Sequence, residues 1–366
     1  MDRHDVSDDV TAEQIAQLHQ LDLKVQQDFG CRGLTYWFDA KRKSAFCLYE
    51  APDGNAIREM HNHAHGQVPH RVIEVDSGIV ESFLGRIEDP EKSPDTELNI
   101  IDDPAFRIIM VTELRNISPV LSESDSSKSA LHRYHEFIPE RLISYHGNLV
   151  RVNRDQILAS FRSVTHAVHA TLEIHKLHKN ISKENGLRRV QLKTALSAGS
   201  PVTEKTSIFE DTIKLAERMC RIIRGQIIIS AEVNDLYNAE NIADLTGEDG
   251  LFLMSAADEK FVNSLMDYTE SSWSNSDLRL EDICKSMAFS KSQFYRRMIS
   301  LTDMAPNNFI REYRLNEALN LLSKNNGNVS EIAFETGFSS PSYFSKCFQK
   351  RFGHLPSDYL PMKAGN

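Results

Sequence analysis

The chain has 366 residues, 40% hydrophobic and 26% charged, with a formal net charge of −10. That length calls for two or three domains, and that composition is globular rather than disordered, collagenous or disulfide-dense. No apolar run approaches the ~18 residues of a membrane span. The acidic opening "MDRHDVSDDVTAEQ" lacks the apolar core of a secretory signal, and five cysteines without CxxC spacing fit reduced thiols in a cytoplasmic protein.

From Thr11 the pattern reads helix, strand, strand, helix, strand. "TAEQIAQLHQLDLKVQQDFG" is a capped amphipathic helix, and "LTYWFDAKRKSAFCLYEA" is two strands around a turn at Asp39–Lys43. "PDGNAIREMHNHAHG" is a helix that starts at Pro52–Asp53 and stops at Gly66, and "HRVIEVD" is a strand. This order suits a small ferredoxin-like α+β domain over residues 1–90. Four of the fourteen histidines, His61, His63, His65 and His70, fall within ten residues. His61 and His65 are i, i+4 on one helix face, a chelating geometry, whereas His63 points away. His19 and Asp22, i, i+3 on the first helix, complete a site if the two helices are neighbours. Imidazole suits Ni, Zn, Cu or Co; the alternative is a solvated, histidine-rich helix face. Cys31 and Cys47 offer thiolate, although Cys47 lies in an apolar strand and reads as core.

The strings "FCLYEAPDGNAIREMHNHAHGQVPHRVIEVDSG" and "HQLDLKVQQDFG" resemble a family of small ferredoxin-like nickel-binding proteins, some fused to cyclase-like domains. The family's H-x3-H-G and E-V pattern is met by His61, His65, Gly66, Glu74 and Val75. The resemblance implies binding of a transition metal, Ni2+ first, and only the matched histidines carry over.

Residues 104–255 alternate strand and helix signals, from "FRIIMVTEL" and "LHRYHEFIPERLISYHG" through the hairpin "NLVRVNRDQILASF", the helix "SVTHAVHATLEIHKLHKN" and the strand "LRRVQLKTALSAG" to "DTIKLAERMCRIIR" and "GQIIIS". This is a second α+β sheet domain with crossover helices. Its order and the strings "HGNLVRVNRDQILASF", "AVHATLEIH", "VQLKTALSAG" and "DTIKLAERMCRIIRGQIIIS" resemble the class III nucleotidyl cyclase domain. In that family two aspartates hold the metal ions. The first matches Leu114, which cannot ligate a metal, and the second matches Asp155. The family's asparagine matches Lys214 and its transition-state arginine matches Arg218. Two-metal chemistry needs both carboxylates, so the resemblance implies a degenerate, non-catalytic domain that dimerises or transmits a signal, with Asp155 and Arg218 as vestigial surface positions.

A helix through Asp258 to Tyr268 leads into residues 262–362. From Tyr268 onward twelve Lys and Arg face ten Asp and Glu, so the acid sits in the front of the chain. Two segments 49 residues apart read alike: Ile283 aligns with Ile332, Phe289 with Phe338, Ser290 with Ser339, Phe294 with Tyr343, and Tyr295 with Phe344. Each is a short helix, a tight turn at Ala288 or Gly337, and a second helix capped by Ser290 or Ser340, joined through the long helix "APNNFIREYRLNEALNLLSK". That is a double helix-turn-helix in an all-α domain. Phe294 and Met298, and Phe344 and Phe348, pack inward. Ser292, Tyr295, Arg296 and Ile299, and Pro341, Ser342, Ser345, Lys346 and Gln349, face outward, with Arg296 and Lys346 equivalent. "VSEIAFETGFSSPSYFSKCFQKRFGHLPSDY" and "MAFSKSQFYRRMISLTDMAPNNFIREYRLNEALNLL" resemble the AraC/XylS family of transcription regulators from about Leu265 to Leu360. The resemblance implies sequence-specific binding of double-stranded DNA and contact with RNA polymerase.

The expectation is a cytoplasmic regulator with a metal-binding front at His61, His65 and His19, a non-catalytic middle and a DNA-reading tail at Ser292, Tyr295, Arg296, Ser342, Ser345, Lys346 and Gln349. A homodimer suits both the cyclase outline and paired half-sites. The rivals are an active cyclase fused to a DNA-binding module, and a regulator whose front binds an organic ligand or a partner protein.

Overall fold

The computed structural model describes residues 1–91, 98–115, 125–153, 155–184, 191–242, 245, 247, 250–324 and 327–359. They form two compact units, one of Met1–Cys220 with Gly225–Met254, the other of Arg221–Arg224 with the residues from Ser255 on. Residues 187–190 of the expected strand, and the end of the expected DNA-binding region from Leu360, lie outside the described residues.

The first unit opens with β1 (Asp2–Asp5), α1 (Ala12–Val25), β2 (Arg32–Asp39), β3 (Ser44–Glu50), α2 (Gly54–Ala64), β4 (Arg71–Val72) and α3 (Ser77–Leu84). The caps are those the residues dictate. Thr11 and Gln14 form a capping box on α1, Asp53 accepts from the Asn55 and Ala56 amides, and Asp76 accepts from the Ile79 amide. The sheet order is β2-β3-β1-β4, with β1 antiparallel to both neighbours. β1 precedes the helix-strand-strand-helix-strand pattern expected from Thr11 and has no counterpart in it. "DRHD" carries no apolar alternation to betray a strand, yet β1 sits inside the sheet with Asp2 opposite Cys47.

The same β-α-β-β-α-β order then recurs: β5 (Arg107–Arg115), α4 (Asp125–Ser144), β6 (Asn148–Val152), β7 (Gln156–Phe161), α5 (Val164–Glu184) and β8 (Gln191–Gly199). α6 (Glu210–Ile222), β9 (Ile227–Ile229), α7 (Ala231–Glu240) and β10 (Leu251–Leu253) follow, and β9 and β10 extend the sheet in parallel to the order β10-β9-β8-β5-β7-β6. Ile108, Met110, Leu114, Ile157, Ala159 and Phe161 form its apolar face with Tyr134, Ile138 and Leu142 of α4 and Val168 and Ile174 of α5. Both portions are therefore α+β. They are tied at the end of α3. The buried Arg107 guanidinium donates to the carbonyls of Phe83 (3.2 Å), Leu84 (3.0 Å) and Pro104 (2.6 Å), and Ser160 Oγ donates to Phe83 O at 2.8 Å. A helix C-terminus needs such donors for its orphan carbonyls.

The second unit is all-α: α8 (Ala256–Ser272), α9 (Leu280–Ser286), α10 (Lys291–Thr302), α11 (Pro306–Ser323), α12 (Val329–Glu335) and α13 (Pro341–Phe352). Ser290 and Ser340 cap α10 and α13, and Pro306 opens α11. Phe294 and Met298, and Phe344 and Phe348, are buried. The spacing of the repeat changes from 49 to 50 residues at the turn, because Ser339 and Ser340 precede Pro341 where Ser290 alone precedes Lys291. The buried Phe294 thus corresponds to Phe344, and the alignment of Phe294 with Tyr343, which is exposed, gives way. No helix among the described residues is long and apolar enough to cross a membrane.

Both turns use a left-handed residue, Ala288 at φ 56° and Gly337 at φ 77°. Relief of the Ala288 strain should stabilise Ala288→Gly by about 0.5–1 kcal/mol. A Cβ on Gly337 would lie 2.9 Å from Ser274 O and 2.9 Å from Arg314 Nε. Gly337→Ala should therefore cost about 2 kcal/mol or more in urea unfolding. An unchanged midpoint in both variants would contradict this account of the turns.

Candidate functional site

α1 and α2 cover the face of the first sheet that carries Tyr36, Cys47 and Tyr49. Asp22 on α1 and His61 on α2 meet there, with His65 at the C-cap of α2. Asp22 Oδ1 lies 3.1 Å from His61 Nδ1 and 3.1 Å from His65 Nε2, and those nitrogens are 3.2 Å apart. Near-equal separations of ~3 Å suit donors that share one ion at ~2.0–2.1 Å. Asp22 Oδ1 makes no well-aligned hydrogen bond there, while Oδ2 accepts from the Tyr49 hydroxyl at 3.0 Å. The other His61 nitrogen, Nε2, is 3.1 Å from Asp2 Oδ2. A carboxylate on the far nitrogen is what orients a metal-bound histidine and sets its tautomer.

Burial disfavours the charged His61 ring, but hydrogen bonds and charge from Asp2 and Asp22 outweigh it and lift the group to about 9. Burial likewise opposes ionisation of Asp22, but His61 and His65 outweigh it and lower the carboxyl to about 2. Asp2 is held well below the usual carboxylate range against its own burial, by His4 and His61. In the metal-free chain the His61 imidazolium supplies the positive charge that an ion would otherwise bring.

The expected third ligand, His19, does not join this cluster. Its Nε2 faces Asp89 Oδ2 at 3.5 Å, and its ring lies 5.0 Å from that of Tyr36. Three residues shift a side chain ~4.5 Å along a helix, so Asp22 reaches α2 and His19 reaches elsewhere. His63 is exposed near Phe29, and His70 Nδ1 accepts the Asp5 amide at 3.1 Å. Asp2 and His4 were missed with β1; the D-x-H spacing, which places both on one strand face, was the available signal.

In the middle sheet Leu114 turns into the apolar core and its amide donates to Asp155 O at 2.8 Å. The adjacent residue, Glu113, opens on the opposite face. The register therefore places a carboxylate at 113, one position before the aligned Leu114. Arg115 Nη2 holds the Glu113 carboxylate at 2.7 Å. Lys193, opposite Glu113 in the register, is lowered to about 8 by burial and by Arg115. Arg151 pairs with Glu217 at 3.3 Å. Asp155 is exposed, whereas Arg218 is buried on α6 rather than being a surface residue. Lys214 is half-buried on the same helix.

Ser292, Tyr295 and Arg296 are exposed on α10; Ser342, Lys346 and Gln349 are exposed and Ser345 is half-exposed on α13. The buried faces carry aromatic and methionine residues, so each second helix presents a polar strip, with Arg296 exposed on α10 and Lys346 and Lys350 exposed on α13. The neighbouring Arg297 is instead engaged by Asp258 at 2.8 Å.

Residues 283–362 match the family described as a helix-turn-helix domain, and residues 1–75 match the nickel responsive protein SCO4226-like family. The chain thus carries a helix-turn-helix region of the AraC type behind a region similar to the SCO4226-like nickel responsive proteins. It is 35% identical over 106 residues to histidine kinase P4 of Formosa agariphila, covering 29% of this chain and 8% of that one. It is 33% identical over 90 residues to the HTH-type transcriptional regulator YdeC of Bacillus subtilis, covering 24% and 30%. The chain therefore spans less than a third of either relative. An adenylate/guanylate cyclase/hydrolase structure from Silicibacter pomeroyi is similar at 22% identity and TM-score 0.32, covering 37% of this chain and 82% of that one.

The raised His61 group contributes stability that is complete below its unfolded value of 6.5 and lost as pH rises towards about 9. The lowered Asp22 group contributes stability that is complete above 3.8 and lost as pH falls towards about 2. Chelator-treated protein should therefore show a urea midpoint that falls between pH 6.5 and 9, with the fall absent in His61→Gln. A flat profile in the wild type would contradict the charged His61.

Proposed function

We propose that this chain is a transcription regulator of the AraC type whose front domain binds a divalent transition metal, nickel first, through Asp22, His61 and His65. Residues 1–90 are the sensor, 104–255 the transmitting or dimerising domain, and 262–362 the DNA-binding domain of a cytoplasmic homodimer that engages RNA polymerase. The observation that carries the reading is a carboxylate–imidazole–imidazole triangle, oriented by Asp2, in the same chain as two helix-turn-helix units. The ion changes DNA affinity only by binding two arrangements of the chain unequally. The Arg107 clamp on α3 supports passage of a change at α2 into the middle sheet.

Ser292, Tyr295 and Arg296 of α10, and Ser342, Ser345, Lys346 and Gln349 of α13, read the major groove. On a duplex that the wild type selects from a random pool, Arg296→Ala and Lys346→Ala should each weaken binding about 10-fold. Unchanged affinity in both would remove the groove assignment. Calorimetric titration with Ni2+, Zn2+, Co2+ and Cu2+ tests the sensor. His61→Ala/His65→Ala should lose a bound ion, and Ni2+ should shift the wild-type DNA affinity. A double variant that binds metal as the wild type does would leave an organic ligand or a partner protein as the effector.

The middle domain is non-catalytic in this reading, with Glu113 held by Arg115 and Glu217 by Arg151. The carboxylates of Glu113 and Asp155 favour the rival, a nucleotidyl cyclase fused to a DNA-binding module. Incubation with ATP or GTP and Mn2+ should yield no cyclic product. Steady formation of product that Asp155→Ala abolishes would establish the rival.

A further inference from the structure

The face of β1 that supplies Asp2 to His61 carries a second donor set. Asp2 and His4 alternate onto one face of the strand, and the register sets Asp2 opposite Cys47 on β3. The Asp2 carboxylate, the His4 imidazole and the Cys47 thiol bring one ligand atom each within 4.8 Å of one another. His4 Nε2 lies 3.6 Å from Asp2 Oδ1, which also accepts the Cys47 amide at 3.0 Å. Asp2 Oδ1 thus faces His4 and Cys47, and its Oδ2 faces His61. The His4 and His61 rings stand edge to face at 4.9 Å.

We propose that Asp2, His4 and Cys47 form a second metal site, distinct from the Asp22–His61–His65 triangle and joined to it through the two oxygens of Asp2. The chemistry of the two donor sets differs. The triangle offers two imidazoles and a carboxylate, a set suited to borderline ions. The second set adds a thiolate and so takes softer or borderline ions, Zn2+, Co2+ or Ni2+, in preference to Mg2+ or Ca2+. Binding replaces the Cys47 S–H bond with a sulfur–metal bond, and the proton leaves to solvent. Electrostatics favours occupation. Two carboxylates, Asp2 and Asp22, are buried beneath the helices, and buried anions demand cationic partners. His4, whose side chain is 13% exposed, is the rim of the set, while Asp2 and Cys47 form its floor.

The two sites are separable by stoichiometry and by spectrum. The full chain, reduced and chelator-stripped, is titrated with Co2+ and the bound metal counted after gel filtration. The wild type should hold two ions per chain and show a thiolate-to-cobalt charge-transfer band. Cys47→Ser and His4→Ala should each hold one ion and lose the band; His4 sits at the rim, so its variant tests the site without opening the core. His65→Ala should hold one ion and keep the band. Circular dichroism confirms that each variant is folded. One ion per chain in the wild type without a charge-transfer band, or two ions retained by both Cys47→Ser and His4→Ala, would overturn the second site. Loss of the band in Cys47→Ser with full metal content in His65→Ala would instead sustain the second site and overturn the first.

Discussion

His61 stands between two buried carboxylates, and the N-terminal domain is arranged to put it there. α1 supplies Asp22, β1 supplies Asp2, and α2 carries the imidazole that separates them. Neither carboxylate could remain buried and ionised without a positive neighbour, because the desolvation of an unpaired charge costs several kcal/mol. The pairing therefore demands that a strand with no apolar residue between Asp2 and Asp5 enter the sheet and that two helices approach within hydrogen-bond distance. The same demand explains why the cluster suits a cation. An imidazolium is one solution to two buried anions, and a metal ion is another.

The first unit repeats one solution to the layer problem. A sheet buries its apolar face under two crossover helices in the order β-α-β-β-α-β, first with β4-β1-β3-β2 and then with β8-β5-β7-β6. The donor cluster occupies the helix-covered face of the first sheet. In the second sheet the apolar core lies under α4 and α5, and Glu113, Arg115 and Lys193 gather on the opposite face with Glu217 of α6. α3 bridges the two, its terminal carbonyls satisfied by Arg107 and Ser160 instead of solvent. A guanidinium suits that task because its planar fork serves several acceptors at once.

The helix-turn-helix units depend on backbone geometry more than on charge. Each turn needs one residue at positive φ, and glycine meets that need without strain while alanine does not. The chain uses one of each, at Gly337 and Ala288. Aromatic packing surrounds both turns. Phe289, Phe294 and Phe261 stack about the first turn, and Phe338, Phe344 and Phe348 about the second.

Helical periodicity was sufficient to read α1, α2 and every long helix of the tail, because the apolar stripe of a helix is a local property written every three or four residues. It also paired His61 with His65, since i, i+4 is a fact of one helix. The repeat in the tail was legible for the same reason, apart from the residue inserted at its second turn. Three things were decided only in three dimensions. β1 is polar throughout and earns its place from neighbours on both sides. Asp22 rather than His19 completes the triangle, which depends on where α1 passes α2. Glu113 rather than Leu114 faces the polar side of the middle sheet, which depends on strand register, and a shift of one residue reverses the face. Spacing along one element is set by the backbone's own geometry, whereas meetings between elements are set by how whole surfaces pack, and no local pattern encodes that.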